Sequence, residues 1–331
     1  DVSAWYHILV QVDTTQSTSG DRIKFYVNGV QETSFATQTI GSQNDNLSTN
    51  YNTATLYFGQ EYTSGSNFFE GYLSHVALVD GAVSAPTVFG ETDSTSGIWK
   101  FKSPTGVTWG NNGVHLKFEN SGNLGLDSSG ETHNYTVNGD LKQALDTPSN
   151  VYCTLNPLIK GYDTFVYSTA NNSAQSQSNA WFSTQGTIGF NQGKWYFECT
   201  DLGADSMIGV CNPEINMYNS LAINLAGTTV FYNQDGGEMR KDGSATTADY
   251  GTFNSTDIMG VAIDMDGKTM SIYKNGSAIV TNYALSTSIT DSAIPFINMY
   301  GSGNLVKFNF GNGLFGTTAI TSAGSNGNGS L

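Results

Sequence analysis

The sequence predicts an all-β protein of two antiparallel β-sandwich (jelly-roll-like) domains joined by an irregular connecting region. Three observations support this fold class. The chain has 331 residues, enough for two domains. It contains 38 glycines and only 12% charged residues, a composition that suits short strands between tight turns. Its apolar residues alternate with period two, whereas an amphipathic helix would repeat them at a spacing of three to four.

Composition also sets the expected domain boundaries. We place the first domain at residues 1–93, the connecting region at 94–157 and the second domain at 158–316. Residues 317–331 are Gly, Ser, Asn and Thr with few apolar side chains, and we expect a flexible tail there. The connecting region is not a free linker, because its large apolar side chains need burial. They are Trp99, Phe101, Trp109, Leu116 and Phe118.

Strand signals begin close to the start of the chain. Residues 5–13 and 22–28 alternate as half-buried antiparallel strands do. Asn28-Gly29 then supplies the positive φ values of a tight hairpin turn. The second strand is expected to face inward through Ile23, Phe25 and Val27.

Later strands of this half are less regular. We expect strands at residues 55–59 and 71–79, separated from the first hairpin by a polar loop at 37–52. A further strand is expected at residues 114–118.

Clear alternation returns in the second half of the chain. The strands expected there are residues 194–200, 206–211, 258–264, 268–274, 277–280 and 304–310. Turns at Asp266-Gly267 and Asn275-Gly276 connect three of them into hairpins.

Charge and cysteine content exclude several classes of function. A formal net charge of −15 disfavours nucleic-acid binding and a polybasic membrane patch. The three cysteines, Cys153, Cys199 and Cys211, include no CxxC pair. We expect buried free thiols, although a bridge between Cys199 and Cys211 is open. No signal peptide or apolar run of membrane-spanning length is visible, so membrane insertion is not expected.

The first half resembles laminin-G-like (concanavalin-A-like) domains. The resemblance rests on residues 5–13, on Ile23–Gly29 and on Phe69–Val76, and covers about 1–90. The early strands of that family have no counterpart here. The resemblance therefore implies either that the chain is truncated or that another segment or subunit completes the sheet.

The second half resembles SPRY (B30.2-like) domains, which bind partners through loops at one end of a twisted sandwich. This resemblance rests on the segments Gly193–Glu198, Ile208–Val210, Asp257–Asp264, Ser271–Gly276 and Phe308–Gly311. The runs at the junction of the two halves resemble marine bacteriophage structural proteins. They include Phe89–Asp93, Gly125–Gly130 and Asp146–Asn150. That last resemblance alone implies a virion surface location, on a particle assembled in the host cytoplasm.

Catalytic and metal motifs are weak. His7, His75, His115 and His133 are scattered along the sequence. We expect His7 and His75 to lie in strands, with ring nitrogens that have hydrogen-bond partners. Glu91-Thr92-Asp93 is the nearest approach to a glycanase carboxylate set, but a surface turn explains it better. Asp264-Met265-Asp266-Gly267 lacks the remaining ligands of a calcium loop. We therefore predict no catalytic residues, no metal site and no cofactor, with calcium possible but unsupported by a full motif.

Carbohydrate recognition has diffuse support from aromatic and amide side chains near expected loops and strand ends. The candidate ligand-binding residues are Tyr51, Tyr57, Tyr62, Asn67, Phe68, Trp181, Tyr218, Tyr232, Asn233 and Asp235. The leading hypothesis is a non-enzymatic phage fibre or surface protein that adheres to a host surface glycan or protein. The alternatives are a purely structural capsid-decoration or fibre-assembly protein, forming a homo-oligomer or contacting other virion subunits, and a polysaccharide-degrading glycanase.

Overall fold

The computed structural model describes residues 4–46, 55–61, 67–139, 141–160, 165–203, 205–215, 229–287, 289 and 291–311. The chain divides into two compact units. The N-terminal unit comprises residues 4–143 and 147–150. The C-terminal unit comprises residues 144–146 and the chain from Val151 onward. The expected tail at 317–331 lies outside the described residues.

The all-β class is confirmed. Across the described ranges, helix is limited to one α-helical turn, Ser19–Arg22, and one 3-10 turn, Pro86–Val88. The strands of the N-terminal unit are β1 (Ile8–Val12), β2 (Ile23–Val27), β3 (Val30–Glu32), β4 (Val76–Leu78), β5 (Gly90–Thr92), β6 (Trp99–Phe101) and β7 (Val114–Leu116). They form a three-stranded sheet, β1-β2-β3, and two antiparallel pairs, β4-β7 and β5-β6.

The predicted first hairpin is present. β1 and β2 pair antiparallel, with Ile8 opposite Val27 and Val12 opposite Ile23. Asn28 and Gly29 have φ values of 49° and 79°, as the tight turn into β3 requires.

The direction in which this sheet faces corrects the sequence expectation. Ile8, Val10 and Val12 are 51%, 55% and 41% exposed. Opposite residues of an antiparallel pair share a face, so Ile23, Phe25 and Val27 lie on this same open face and are only half-buried. The opposite face is the covered one, because the ring of His7 stacks on Trp99 at 5.8 Å. Gln11 also donates from Nε2 to the carbonyl of Ser84 at 2.7 Å.

Two other expected strands are wrong or shorter. Residues 55–59 form no strand, and only an isolated bridge between Gln60 and Phe68 follows them. Of residues 71–79, only β4 is extended and paired. The amide of Phe69 donates to the carbonyl of Gly59 at 2.9 Å, so the first of these segments ends in an isolated bridge and not in a strand ladder.

The C-terminal unit is a sandwich of two seven-stranded antiparallel sheets. Its strands are β8 (Leu155–Lys160), β9 (Phe165–Ser168), β10 (Ser173–Ser176), β11 (Trp181–Gly186), β12 (Lys194–Thr200), β13 (Ser206–Cys211), β14 (Thr229–Asn233), β15 (Glu238–Lys241), β16 (Ser244–Ala245), β17 (Met259–Asp264), β18 (Thr269–Lys274), β19 (Ser277–Ala284), β20 (Ile294–Tyr300) and β21 (Leu305–Asn309). One sheet has the order β19-β18-β17-β12-β21-β10-β9, and the other β16-β15-β14-β13-β20-β11-β8. All six strands expected in this half are confirmed within a few residues.

The core of this unit is built from the inward positions of both sheets. Phe182, Phe197, Tyr232 and Phe308 are at most 2% exposed. The rings of Phe197 and Phe308 lie 6.0 Å apart, on neighbouring strands β12 and β21. Burial of this extent fixes the sheets rigidly and leaves loops at the sandwich rims.

The three cysteines are free and buried, as expected. Cys199 and Cys211 do not lie on adjacent strands, because β12 and β13 belong to different sheets. Burial raises the pKa of the Cys153 thiol to about 11 and raises those of Cys199 and Cys211 further. Such thiols are poor nucleophiles. Among the described residues, no helix combines the length and the apolar character that crossing a membrane requires.

Candidate functional site

The candidate residues of the N-terminal unit lie near one short loop. Phe68 is 63% exposed and bridges to Gln60. Asn67, with φ of 59°, donates from Nδ2 to the carboxylate of Glu61. Tyr57 is 42% exposed. Tyr51 and Tyr62 lie outside the described residues, so no complete site is defined here.

In the C-terminal unit, strand order brings two aromatic rings to one rim. β11 begins at Trp181, which lies opposite Tyr300 at the end of β20. The ring centroids are 5.4 Å apart at an angle of 50°. Tyr300 is 38% exposed and Trp181 is half-buried. The pair therefore presents an aromatic surface at the end of the sheet.

The loops beside this pair are held by hydrogen bonds between them. The amide of Ser302 donates to Oδ1 of Asn179 at 2.9 Å. Gln175 donates from Nε2 to the carbonyl of Gly303 at 3.1 Å. Ser302 also donates from its hydroxyl to the carbonyl of Gln177 at 3.4 Å. Gln175, Gln177 and Asn179 are exposed, so the hydrogen-bonded loops next to the start of β11 and the end of β20 carry exposed amide residues.

The same rim continues across the sheet to Asp235. The amide of Tyr300 donates to the carbonyl of Asp205 at 3.2 Å, and the amide of Asp205 donates to Oε1 of Gln234 at 3.1 Å. Gln234 is anchored in turn through Nε2 to the carbonyl of Phe253 at 2.8 Å. Asp235, the next residue, is exposed. We define the rim site as Trp181, Tyr300, Gln177, Asn179 and Asp235.

Two candidate residues prove to be structural. Tyr232 is 0% exposed, packs on Phe253 with ring centroids 5.9 Å apart, and donates its hydroxyl to the carbonyl of Gly251. Burial raises its pKa to about 12. Asn233 is 4% exposed and donates from Nδ2 to Oε1 of Glu238 at 2.8 Å. A ligand at the surface does not reach either side chain, so both are removed from the candidate site. Tyr218 lies outside the described residues.

Sequence reasoning missed Tyr300. Residues 294–300 are a mostly apolar run, which is a strand signal, and Tyr300 ends that run. Its partnership with Trp181 depends on a pairing of strands about 120 residues apart, which no local pattern reveals.

The histidines of the N-terminal unit form a packed cluster. Nδ1 of His75 lies 3.3 Å from Nε2 of His115. His75 stacks on Phe101 at 3.9 Å, and His115 stacks on Trp109 at 5.0 Å. Burial, together with the neighbouring His75 and Lys117, lowers the pKa of His115 to about 4, and burial lowers that of His75. Both rings are neutral near pH 7, and both pack against aromatic neighbours.

The carboxylates nearest to a glycanase set, Glu91 and Asp93, have structural partners in and beside a turn. Asp93 accepts from the amides of Ser96 and Thr95, each at 2.9 Å. Those backbone hydrogen bonds and the nearby Lys100 ammonium hold its pKa well below the usual range. Glu91 pairs with the same lysine at 3.5 Å. A carboxyl held ionised in this way is a poor general acid.

The segment Asp264–Gly267 forms a hairpin turn, the structure that the sequence favoured over a calcium loop. Asp264 accepts from the amide of Gly267 at 2.7 Å and pairs with Lys194 at 3.3 Å. Within the part of the chain that the structure describes, no three His, Cys, Asp or Glu side chains are grouped to hold a metal ion.

Comparison with known families agrees with the two resemblances in the sequence. Residues 1–89 match the family model of the concanavalin A-like lectin/glucanases superfamily. Residues 194–313 match the SPRY domain model. Both kinds of domain are β-sandwiches that generally act as binding modules. A search of curated proteins gave no match.

Solved structures similar to this chain are SPRY domains. The SPRY domain of human HERC1 shares 16% identity at a TM-score of 0.40, over 46% of this chain and 96% of that one. The PSpry domain of TRIM65 shares 13% identity at a TM-score of 0.40, over 48% of this chain and 89% of that one. A human SPRY domain shares 16% identity at a TM-score of 0.38, over 44% of this chain and 94% of that one.

Proposed function

We propose that this chain, which joins a concanavalin-A-like segment to a SPRY domain, is a non-enzymatic adhesion protein. Its rim site would bind a host surface glycan or protein. The observation that carries this proposal is the Trp181–Tyr300 ring pair at the sandwich rim. Exposed amide side chains and Asp235 lie on loops at the same end of the sheet. Aromatic faces pack on C–H patches of sugars or on apolar side chains, and amides satisfy hydroxyls or peptide groups.

The rigid scaffold makes such a site effective. The rim loops are fixed by hydrogen bonds to each other and to strands with a fully buried core. A preformed site avoids the entropy cost of ordering loops on binding. The acidic surface, with a net charge of −15, keeps copies soluble and apart from anionic polymers.

The proposed setting is the surface of a bacteriophage particle. Its support is the resemblance of the junction runs to phage structural proteins, stated above. Repeated copies on a virion would raise a weak affinity per site by multivalency. Virion localisation and the identity of the host ligand are parts of this proposal.

A variant pair tests the rim. We expect Trp181→Ala to weaken attachment of purified protein to host cells, or to a glycan array, by about tenfold, since a stacking contact on one aromatic ring together with the apolar area it buries is commonly worth above about 1 kcal/mol. The matched control is Trp195→Ala in the same unit, where the indole is 44% exposed but lies on the other sheet. Equal loss in both variants, or no saturable and competable attachment of the parent protein, would contradict the proposal.

Catalysis is not part of the proposed function. We expect incubation with host polysaccharide to release no reducing ends. Release that depends on Glu91 or Asp93 would establish the glycanase alternative instead.

A structural role is the second candidate, and the open face of the β1-β2-β3 sheet favours it. Ile8, Val10, Val12 and Val30 are 41–67% exposed on one apolar surface. An apolar sheet face normally packs against a second sheet. We propose that another subunit, a second copy or a different virion protein, supplies that sheet.

Sedimentation of the purified chain tests this role. Self-association that Val10→Lys abolishes, and that Val137→Lys at an exposed loop position of the same unit preserves, would support a homo-oligomer. A monomer at all concentrations would leave a different virion protein as the partner, which pull-down from assembled particles then tests.

A further inference from the structure

A polar cleft lies in the N-terminal unit, in a segment of the chain outside both family-matched ranges. It encloses about 390 Å³ in the loop that follows β7. That volume is at the small end of ligand sites, and it suits one or two sugar rings. The cleft is lined by Lys117, Phe118, Glu119, Asn120, Ser121, Asn123, Leu126 and Ser128.

The walls of the cleft are fixed by hydrogen bonds. Gln143 donates from Nε2 to the carbonyls of Phe118 and Glu119 at 2.8 and 3.1 Å. Asn120 accepts from the amide of Gly122 at 3.0 Å through Oδ1. At the far end the amide of Ser128 donates to the carbonyl of His115 at 2.8 Å, which ties the loop to buried β7. A cleft with a fixed backbone needs little ordering when a ligand enters.

Phe118 occupies a strained position at this site. Its φ is 58°, in the left-handed region that a bulky side chain adopts at a cost of about 1 kcal/mol or more. The ring is only half-buried, so core packing does not fully account for the strain. Phe118 is also one of the residues that line the cleft.

The lining chemistry selects a neutral hydroxylated ligand. Only two of the eight lining side chains are apolar, so the cleft offers few contacts to an apolar metabolite or an apolar peptide side chain. Lys117 and Glu119 cancel each other in charge, with Nζ and Oε2 4.0 Å apart, so an anion finds no net positive potential. The remaining polar side chains are amides and hydroxyls, which meet sugar hydroxyls in pairs, while Phe118 provides a stacking face.

We infer that this cleft binds an uncharged saccharide unit, independently of the rim site. The site residues are Phe118 as the stacking face, and Asn120, Asn123, Ser121 and Glu119 as hydroxyl partners. The two sites lie on different units, so one chain could engage a surface polysaccharide at two points.

NMR titration of the ¹⁵N-labelled full chain tests the inference, with cellobiose, lactose and N,N′-diacetylchitobiose as probes. We expect saturable shifts of the amides of Gly122, Asn123 and Ser128 with at least one probe, at millimolar affinity of about −4 kcal/mol. Asn123→Ala and Phe118→Leu should each weaken that binding about fivefold or more, the value of roughly one lost hydrogen bond or stacking contact. The matched control is Asn111→Ala, an exposed loop asparagine outside the cleft.

Three outcomes would overturn the inference: no shift with any probe at tens of millimolar, equal binding by Asn123→Ala, or shifts that map elsewhere. Trp181→Ala separates the two proposals, because it should leave these cleft shifts unchanged. Loss of cell attachment in Trp181→Ala with intact cleft titration would support both sites. Failure of the titration alone would overturn only the cleft.

Discussion

At the scale of single residues, burial decides which aromatic side chains are available to a ligand. Tyr232 and Tyr300 are both tyrosines of the same seven-stranded sheet. Tyr232 points into the core and is 0% exposed, whereas Tyr300 ends its strand and is 38% exposed. The functional assignment of each therefore follows from its position on the strand and from the face on which it lies.

The His75–His115 pair makes a prediction about pH at this same scale. Both histidines have folded-state pKa values below the usual 6.5, that of His115 near 4. The unfolded chain therefore binds protons more readily, so stability is complete above about pH 6.5 and declines as the pH falls toward 4. Thermal unfolding followed by circular dichroism should show this decline in the N-terminal unit.

A double variant checks the cause. We expect His75→Gln with His115→Gln to flatten the decline between pH 6.5 and 4, whatever its effect on stability at pH 8. The carboxylates with lowered pKa values, such as Asp93 and Asp127, titrate below this window. An unchanged slope in the double variant would show that other groups produce the acid sensitivity.

At the scale of elements, turn chemistry fixes the register of the hairpins. Asn275 accepts from the amide of Ile258 at 2.8 Å through Oδ1 and donates from Nδ2 to Asp257 at 2.7 Å. Asn275 and Gly276 have φ values of 51° and 80°, which join β18 to β19. This pattern was readable from the sequence, because Asn-Gly is the strongest short signal for such a turn.

Gly276→Ala tests that turn. No atom lies within 4 Å of an added Cβ, so the cost comes only from the left-handed φ, about 1 kcal/mol of unfolding free energy. Gly20→Ala is the control, since it also meets no atom but sits in a helical turn without a positive φ. Urea denaturation should show a lower free energy of unfolding for Gly276→Ala. The free energy of unfolding of Gly20→Ala should be unchanged or slightly higher. Equal effects would contradict the turn argument.

At the scale of the whole molecule, the two units differ in how much core they possess. In the N-terminal unit, the buried hydrophobic side chains among the described residues are Phe89, Val114, Leu116 and Leu124. The C-terminal unit has a buried cluster that spans both seven-stranded sheets. Local stability follows the amount of buried apolar surface.

Hydrogen exchange should therefore distinguish the units. We expect backbone amides of β12, β13, β17 and β20 to exchange most slowly, and those of β1 to β3 to exchange at least about tenfold faster, as a difference of 1.4 kcal/mol in opening free energy implies. If a partner sheet covers the open face, adding that partner should slow exchange in β1 to β3 selectively. Uniform protection in the isolated chain would contradict the difference in core size.

The sequence by itself determined the all-β class, both family resemblances, the hairpin turns and six of the fourteen strands of the C-terminal unit. These follow from local rules, since alternation and Asn-Gly turns act over a few residues. Only the tertiary structure decided that Ile8, Val10 and Val12 face outward, that Asn233 is buried and that Trp181 meets Tyr300. The physical reason is that burial depends on what packs against a face, and rim sites depend on strand pairings between residues far apart in the chain.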